Sequence, residues 1–257
     1  MIIKVVSFNI RCCDDENKNK IKDRAPRLSK VILNYSPDLI GIQEFRLPWQ
    51  KYFDKYFLND YEIYSFSRST DGVYESVPIL WRKRRFECIK RGTFWLSDTP
   101  EYESRGWDEV YDVNRICSYV ILKDKITSNQ FAFMNTHFGL GDLCQKKSSE
   151  LIYKYSKLIS DYPTVITGDF NMTPDSVGYL EMKKYFTDIN GVTSKDYSPT
   201  YHGYDPEDNN GSHIDYCFIN GYFRPIDHKI IKDTVRGKYP SDHYGIYSEI
   251  EIQKNLL

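Results

Sequence analysis

The sequence predicts an α/β fold in which strands outnumber helices. Tyrosine suits half-buried strands, and 22 tyrosines help to raise the aromatic content to 16% of the 257 residues. Short β-branched or aromatic runs recur along the chain between turn residues. Helical periodicity lies between some of these runs, which is typical of sheets covered by helices.

The predicted strands are short and are spread over the whole chain. They cover residues 2–9, 39–43, 61–66, 77–81, 86–91, 118–123, 131–136, 164–168, 214–220 and 244–252. No Pro/Gly/Ser-rich linker, low-complexity block or repeat separates them. Residues 1–257 are therefore predicted to form one domain.

The spacing of apolar residues predicts three helices. The first is expected to have Pro26 in its first turn, where the missing N–H is tolerated. Its buried face would consist of Leu28, Val31, Ile32 and Tyr35. The second and third are expected over about residues 148–160 and 177–185. The buried face of the second would consist of Leu151, Ile152, Tyr155, Leu158 and Ile159.

The overall composition is that of a globular protein without a basic excess. Hydrophobic residues make up 40% of the chain, charged residues make up 28%, and the formal net charge is −1. Proteins that hold long nucleic acids by the backbone usually carry a positive excess. A small or short phosphate substrate therefore fits this composition at least as well as a long duplex.

The cysteines indicate a reducing location. The sequence contains 6 cysteines without a Cys-x-x-Cys pair, and the adjacent Cys12 and Cys13 suit a disulfide framework poorly. The apolar start, residues 1–6, includes a lysine and is too short for a signal peptide or a membrane span. A cytoplasmic protein is expected, and no obligate protein partner is evident.

The points where the apolar runs break are the most informative part of the sequence. Polar residues stand at the ends of the predicted strands: Asn9, Glu44, Asn135, His137, Asp169, Asn171, Asp215, Asp242 and His243. Polar groups beside a dry sheet cost free energy unless they are partnered, so these residues are expected to form one cluster. Carboxylate and amide oxygens favour a hard cation, Mg²⁺ or Mn²⁺, and histidines can move protons at neutral pH.

Each of these motifs alone has an ordinary structural alternative. Gln43-Glu44 could be a polar loop, and Asn135-Thr136-His137 could be a strand end with a solvated histidine. Gly168-Asp169-Phe170-Asn171 consists largely of turn-forming residues, and Ser241-Asp242-His243 could cap a helix. Their joint occurrence in one order favours function.

That order, from Ser7-Phe8-Asn9 to Ser241-Asp242-His243, closely resembles the endonuclease/exonuclease/phosphatase superfamily, which includes exonuclease III, pancreatic deoxyribonuclease and the poly(A) deadenylases. The segment 92–100, with Gly106-Trp107-Asp108 and Arg115-Ile116-Cys117, resembles a bacterial branch distantly similar to the deadenylases. The resemblance implies a four-layer sandwich: two mixed sheets packed face to face, with helices outside and the site at one end.

The resemblance also implies roles for individual residues. Glu44 would be the principal Mg²⁺ ligand, with Asn9 and Asp242 beside the metal. Asp169 would position and deprotonate the attacking water, and Asn171 would donate a hydrogen bond to the phosphate.

The remaining roles concern the phosphate and the leaving group. His243 would stabilise the charge developing on the phosphate, with its tautomer fixed by Asp215. His137 would protonate the leaving oxygen. Asn135 and Arg115 are candidates for contacts with substrate, and a structural salt bridge is the alternative for Arg115.

Two further features bear on the substrate. Many relatives carry a second acidic residue after the histidine, whereas Phe138-Gly139 follows here and Asp142 comes later. The basic stretch of residues 82–85 suggests nucleic-acid binding, but a solvated, twisted hairpin with edge-protecting charges explains it better.

The sequence thus predicts a Mg²⁺-dependent phosphoesterase that hydrolyses phosphodiester or phosphomonoester bonds, directed at nucleic acid or nucleotides. One alternative keeps the chemistry but acts on phosphoinositide or sphingomyelin-type head groups. Another is a catalytically inactive binding module of the same fold.

Overall fold

Two mixed six-stranded sheets pack face to face in the computed structural model, which describes residues 1–159, 163–207 and 210–253. The strands of the first sheet, in spatial order, are β11 (Phe223–Ile231), β12 (Gly245–Ile252), β1 (Ile2–Asn9), β2 (Leu39–Gln43), β4 (Ile79–Arg82) and β3 (Tyr61–Tyr64). Those of the second are β5 (Phe86–Trp95), β6 (Ile116–Asp124), β7 (Gln130–His137), β8 (Thr164–Asp169), β10 (Asp215–Ile219) and β9 (Thr187–Asp188).

Helices cover the outer faces and complete the predicted four layers. The helices are α1 (Ile21–Asn34), α2 (Leu47–Tyr56), α3 (Asp142–Ile159), α4 (Val177–Met182) and the short α5 (Ile189–Val192). Side chains of α1 and α2 pack on the first sheet, and those of α3 and α4 pack on the second. The predicted α/β class and sandwich are confirmed. Among the described residues, no helix is long and apolar enough to cross a membrane.

Strand direction brings the polar strand ends together. The pairs β1–β2 and β7–β8 are parallel, so their carboxyl ends lie at the same edge of each sheet. The antiparallel partners β12 and β10 begin at that edge. Four strands therefore end, and two begin, at one end of the sandwich.

The layer between the sheets is apolar along most of its length, with side chains such as Val5, Leu39 and Phe133 fully buried. Near the polar end the sheets approach closely at Gly41. A Cβ atom there would lie 2.2 Å from Thr167 Oγ1 and 2.6 Å from Asn135 Oδ1. Only glycine allows this approach.

The first helix begins earlier than its apolar pattern predicts. It starts at Ile21, so the expectation that Pro26 lies in the first turn is wrong, and Pro26 lies inside the helix on its exposed side. The buried Arg24 side chain holds the early turns by donating to four backbone carbonyls, including those of Asn19 and Arg11. These long-range contacts outweigh the local preference of proline.

The second predicted helix also differs from expectation. Helix α3 begins at Asp142 and buries a stripe of small and polar residues that includes Ser148 and Ser156, whereas Leu158 is 67% exposed. The predicted end at Ser160 lies outside the described residues. The prediction that Leu158 is buried is wrong because the packed stripe follows serines, which apolar periodicity does not detect.

Other elements escaped prediction. Strand β11 contains Pro225, which weakens a strand pattern but is tolerated at this edge position. Helix α2 has Pro48 in its first turn and mixed polarity. The basic stretch 82–85 is not a hairpin within one sheet, because it connects β4 of the first sheet to β5 of the second.

Candidate active site

Three of the polar residues lie side by side on the second sheet. Asp169 ends β8, and its register partners are His137 at the end of β7 and Asp215 at the start of β10. Each is buried. Adjacent strands lie about 4.8 Å apart, so this register alone forces the three side chains into one cluster.

The first sheet contributes Asn9, which links two carboxylates. The Asn9 amide Nδ2 donates to Asp169 Oδ2 at 2.9 Å and to Glu44 Oε1 at 3.0 Å. Its Oδ1 accepts a hydrogen bond from the Arg11 backbone N–H. Because Asn9 presents its donor to the carboxylates, the prediction that it ligates a metal directly finds no support in this geometry. Asn9 instead fixes the separation between Glu44 and Asp169.

His243 is oriented by Asp215. Its Nδ1 lies 3.0 Å from Asp215 Oδ2, and its Nε2 lies 3.8 Å from Asp169 Oδ2. Burial lowers the pKa of His243, but the charges of Asp215 and Asp169 outweigh burial and raise the pKa to about 10. The ring is therefore cationic at neutral pH and faces Asp169.

Asp169 has the electrostatics of a general base. Burial and the charge of Asp215 raise the pKa of Asp169 to about 7, although His243 and the hydrogen bond from Asn9 oppose the rise. Its Oδ1 accepts the backbone N–H of Asn171 at 3.0 Å. A pKa near neutral pH suits a group that takes a proton from water.

His137 lies on the other side of Asp169, with 3.5 Å between His137 Nε2 and Asp169 Oδ2. Burial, together with the positive charge of Arg115, lowers the pKa of His137 well below its ordinary range. The free protein therefore holds His137 neutral. The predicted role as proton donor requires the negative charge of a bound phosphate, which favours the protonated ring.

Sharp turns follow the strands that carry these residues. Glu44, Asn171 and Arg11 have φ values of 59°, 50° and 58°, which are uncommon for residues other than glycine. The turns direct Glu44 and Asn171 back toward the strand ends. The Asn171 amide donates to the Phe138 carbonyl at 2.9 Å, which holds this side chain in place.

Glu44 and Asp242 offer the oxygens best suited to a hard cation. Burial raises the pKa of Glu44, but hydrogen bonds from Cys12 N–H and Asn9, together with the charge of His243, outweigh it and lower the pKa to about 2. Glu44 is therefore ionised at neutral pH. Both carboxylates line the same cavity, and their donor chemistry fits Mg²⁺ or Mn²⁺.

A second group of possible ligand atoms is better explained as catalytic machinery. Atoms of Asp169, Asp215 and His243 lie within 4.8 Å of one another. However, the His243 nitrogen that faces Asp215 is already engaged in their hydrogen bond. This group therefore resembles a base beside an oriented histidine more than a cation site.

These residues open into a cavity of about 530 Å³, the size of pockets that hold small ligands. Its lining includes acidic and basic groups beside Tyr111, Val113, Leu140, Tyr201 and Ile214. The predicted site residues Glu44, Arg115, His137, Asp169, Asn171, Asp242 and His243 all line it.

One predicted substrate contact, that of Asn135, needs correction, whereas both alternatives for Arg115 remain compatible with the structure. Asn135 is fully buried, donates to the carbonyls of Ile42 and Pro78, and accepts from Gln43 and Thr167. Its hydrogen-bonding capacity is spent between the sheets, so the prediction that it contacts substrate is wrong. Arg115 forms the alternative salt bridge, with Asp108 at 3.2 Å, and also lines the cavity. Asp142 is exposed and does not line the cavity.

Several cavity residues were not predicted from the sequence. Arg68 and Glu75 come from the loop between β3 and β4 and form an ion pair at 3.2 Å. Arg11 lies 3.8 Å from Asp242 and pairs with Asp15. Arg11 follows Asn9 within a recognised motif and could have been found, whereas no pattern marks the loop positions.

Comparisons with known proteins agree with the fold and the motif order. A family model described as the Endonuclease/Exonuclease/phosphatase family matches residues 145–243. An endonuclease/exonuclease/phosphatase family protein from Bacteroides thetaiotaomicron has a similar structure, with a TM-score of 0.90 and 25% identity, covering 99% of this chain and 96% of that chain. A mannosyl-6-phosphatase from the same species gives a TM-score of 0.87 and 26% identity, covering 97% of this chain and 100% of that chain.

A viral relative is similar in sequence. An uncharacterised protein of Acanthamoeba polyphaga mimivirus is 28% identical over 173 residues, which cover 64% of this chain. The match covers 63% of the viral protein, so the chain accounts for less than two thirds of that relative's length.

Proposed function

We propose that this chain, a member of the endonuclease/exonuclease/phosphatase family, is a Mg²⁺- or Mn²⁺-dependent hydrolase of small phosphate esters. The observation that carries the proposal is the position of Asp169. It lies between His137 and the His243–Asp215 pair, is linked by Asn9 to Glu44, and opens into a cavity of small-ligand size.

In the proposed reaction, Asp169 orients a water molecule and takes its proton. The oxygen of this water forms a bond to phosphorus while the bond from phosphorus to the leaving oxygen breaks. His243, held cationic by Asp215, stabilises the negative charge on the phosphate oxygens. Asn171 lines the cavity and has a second amide N–H available beside the one given to Phe138.

The metal and the leaving group complete the proposed assignment. Glu44 and Asp242 would hold the divalent ion, which supplies Lewis-acid stabilisation of the phosphate charge. His137 would deliver a proton to the leaving oxygen. Removing Asp169 or His243 should each lower the rate by about 10²–10³-fold.

The basic stretch that suggested nucleic acid does not support a polymer substrate. Arg85 donates to the carbonyl of Ile2 at the start of β1, whereas the site begins at Asn9 at the other end of that strand. The two positions are separated by roughly 23 Å of strand. A nucleotide remains compatible with the cavity, as do phosphorylated head groups.

A substrate panel tests the proposal. It should contain p-nitrophenyl phosphate, bis-p-nitrophenyl phosphate, nucleotides, single-stranded and duplex DNA, RNA, phosphoinositides and hexose 6-phosphates, the last because one similar structure is a mannosyl-6-phosphatase. We expect release of phosphate with Mg²⁺ or Mn²⁺, loss with EDTA, and strong reduction in Asp169→Asn and His243→Ala.

The outcomes are separable. Absence of turnover across the panel would favour the inactive binding module, and full activity in Asp169→Asn would show that the centre lies elsewhere. Preferential cleavage of polynucleotides would restore the nuclease prediction. A cytoplasmic location and a single domain over residues 1–257 remain predictions from the sequence.

A further inference from the structure

Beside His137 the cavity is bounded by two arginines, each paired with a carboxylate. We call this group, Arg68, Glu75, Asp108 and Arg115, the arginine wall. Arg68 Nη1 lies 3.2 Å from Glu75 Oε2, and Arg115 Nε lies 3.2 Å from Asp108 Oδ2. A small space bordered by Arg68, Glu75, Arg115 and His137 connects the wall to the catalytic residues.

The arginine wall is held firmly. Asp108 Oδ1 accepts the backbone N–H groups of Val110 and Tyr111, so this carboxylate is fixed by its own loop. The side chains of Arg115 and Asp108 are 7% and 0% exposed. A guanidinium fixed in this way presents its remaining N–H groups in one direction.

The wall keeps unused hydrogen-bonding groups on its cavity side. Arg115 donates to Asp108 through Nε. Among the described residues, its Nη1 and Nη2 have no hydrogen-bond acceptor. Arg68 contacts Glu75 Oε2 through Nη1. Within the part of the chain that the structure describes, Arg68 Nη2 has no acceptor and Glu75 Oε1 has no donor. Arg68, Glu75 and Arg115 all line the main cavity. The wall therefore offers both donors and an acceptor to a ligand.

Charge balance indicates what kind of ligand fits. Two arginines and two carboxylates give the wall a net charge of zero, and Glu75 would repel a second anion in the cavity. A neutral group with several hydroxyls can accept from the guanidinium N–H groups and donate to a carboxylate at the same time. Buried donors and acceptors gain most from a ligand that satisfies all of them.

We propose that the arginine wall is a leaving-group subsite for a neutral, polyhydroxylated group, so that the substrate is a phosphate monoester of a sugar or similar polyol. This inference rests on the proposed function, which puts the leaving oxygen beside His137. Hydrolysis adds water across the ester: the water oxygen joins phosphorus, the leaving oxygen departs with one proton as the free polyol, and inorganic phosphate is the other product.

The test compares three substrates in the full chain with its metal. They are a hexose 6-phosphate, p-nitrophenyl phosphate, which lacks hydroxyls, and a hexose 1,6-bisphosphate, which adds an anion. We expect the wild-type chain to have its highest kcat/KM with the hexose monophosphate.

Two variants probe the wall itself. Arg115→Met removes donors and also changes the charge beside His137, so it should lower kcat/KM for every substrate, but about 10–100-fold more for the hexose phosphate than for p-nitrophenyl phosphate. Glu75→Gln keeps the shape of the side chain but removes its negative charge. It should therefore raise kcat/KM for the bisphosphate relative to kcat/KM for the monophosphate. Because Arg115→Met also breaks a buried ion pair, the melting temperature of this variant is measured to check that it folds. Glu75→Gln should disturb folding less and tests the wall even if Arg115→Met is unstable.

The results distinguish this inference from the proposed function. If the wild-type chain hydrolyses neither these three substrates nor any other member of the panel, the proposed function fails, whereas turnover of nucleotides or diesters alone overturns only the polyol subsite. If p-nitrophenyl phosphate is hydrolysed in an Asp169-dependent manner but the bisphosphate is preferred, the polyol subsite is overturned and the hydrolase remains. Equal losses on all three substrates in Glu75→Gln and Arg115→Met would likewise overturn the subsite.

Discussion

Both ends of the β-sandwich bury carboxylates, but at the cavity end their negative charges are not fully balanced by neighbouring groups. At the end away from the cavity, Arg85 lies 2.6 Å from Asp38 and 3.2 Å from Asp124 and also donates to a backbone carbonyl. At the cavity end, Asp169 has another carboxylate, Asp215, as its register partner. Asp124 and Asp169 are almost equally buried, at 1% and 2% exposure.

The two aspartates differ in the direction of their pKa shifts. Burial raises the pKa of Asp124, but the backbone N–H groups of Thr127 and Ile126 and the charge of Arg85 outweigh it, so the net shift is downward. The net shift of Asp169 is upward, to about 7, through burial and the charge of Asp215. The charge of a structural carboxylate is balanced by hydrogen bonds and cations within the protein. The charge of a carboxylate available for chemistry is not fully balanced, so water, metal or substrate can stabilise it further.

The largest expected effect is the loss of activity in Asp169→Asn. Because this substitution removes the base, the rate should fall by about 10³-fold, which corresponds to about 4 kcal/mol of barrier. In the metal-free chain the same change removes a charge that burial and Asp215 both disfavour, so the free energy of unfolding at pH 7 should rise. Steady-state kinetics and urea unfolding measure the two effects. A fall in both activity and stability would contradict the contrast between the ends.

The next effect concerns the metal. If Glu44 and Asp242 bind Mg²⁺, a concentration of 100 times the Kd should stabilise the wild-type chain by about 2.7 kcal/mol. Glu44→Gln should lose most of this stabilisation, because a neutral amide is a weaker ligand for a hard cation. Thermal unfolding with and without Mg²⁺ measures it. Glu103→Gln, at an exposed carboxylate that does not line the cavity, serves as the matched control.

At the opposite end, Asp124→Asn should destabilise the protein by about 2 kcal/mol. It weakens a buried partner of Arg85, whose side chain is itself partly exposed, which keeps the cost below that of a fully buried pair. Activity per folded molecule should stay within about twofold of the wild type. Unfolding curves and active-site-normalised rates provide the measurement, and a large loss of kcat would show that the two ends are coupled.

The last effect is a pH-dependent difference in stability. The pKa of Asp169 is about 7 in the folded protein against 3.8 ordinarily, so the folded state binds more protons between these values. Ionising Asp169 therefore costs stability as pH rises from about 4 to 7. The stability advantage of Asp169→Asn over the metal-free wild type should grow across this window and level off above pH 7. A constant difference would mean that Asp169 titrates normally.

The sequence predicted the site end better than the directions of its side chains. Apolar runs that break at Asn9, His137 and Asp169 identify strand ends, and parallel pairing then places these residues together. The burial of Asn135 between the sheets and the orientation of the Asn9 amide depend on contacts between the two sheets, which the periodicity of the sequence does not encode.

Loop residues were harder to predict for a different reason. Arg68 and Glu75 reach the cavity from the loop between β3 and β4. In a loop, no regular periodicity relates the position of a residue in the sequence to the direction of its side chain. The early start of α1 similarly depends on Arg24 and its contacts with the loop before the helix. Local propensity governs regular elements, but tertiary contacts govern their ends.

Gly41 has a consequence for the precision of the catalytic geometry. Asn9 ends a strand of one sheet and Glu44 follows another, whereas Asp169 ends a strand of the second sheet, so the distances between them depend on the thickness of the layer between the sheets. At Gly41 that thickness is set by direct contact with Thr167, with no room for a methyl group. An alanine at position 41 would act as a wedge between the two sheets, separating the proposed metal-binding half of the site from the proposed water-activating half.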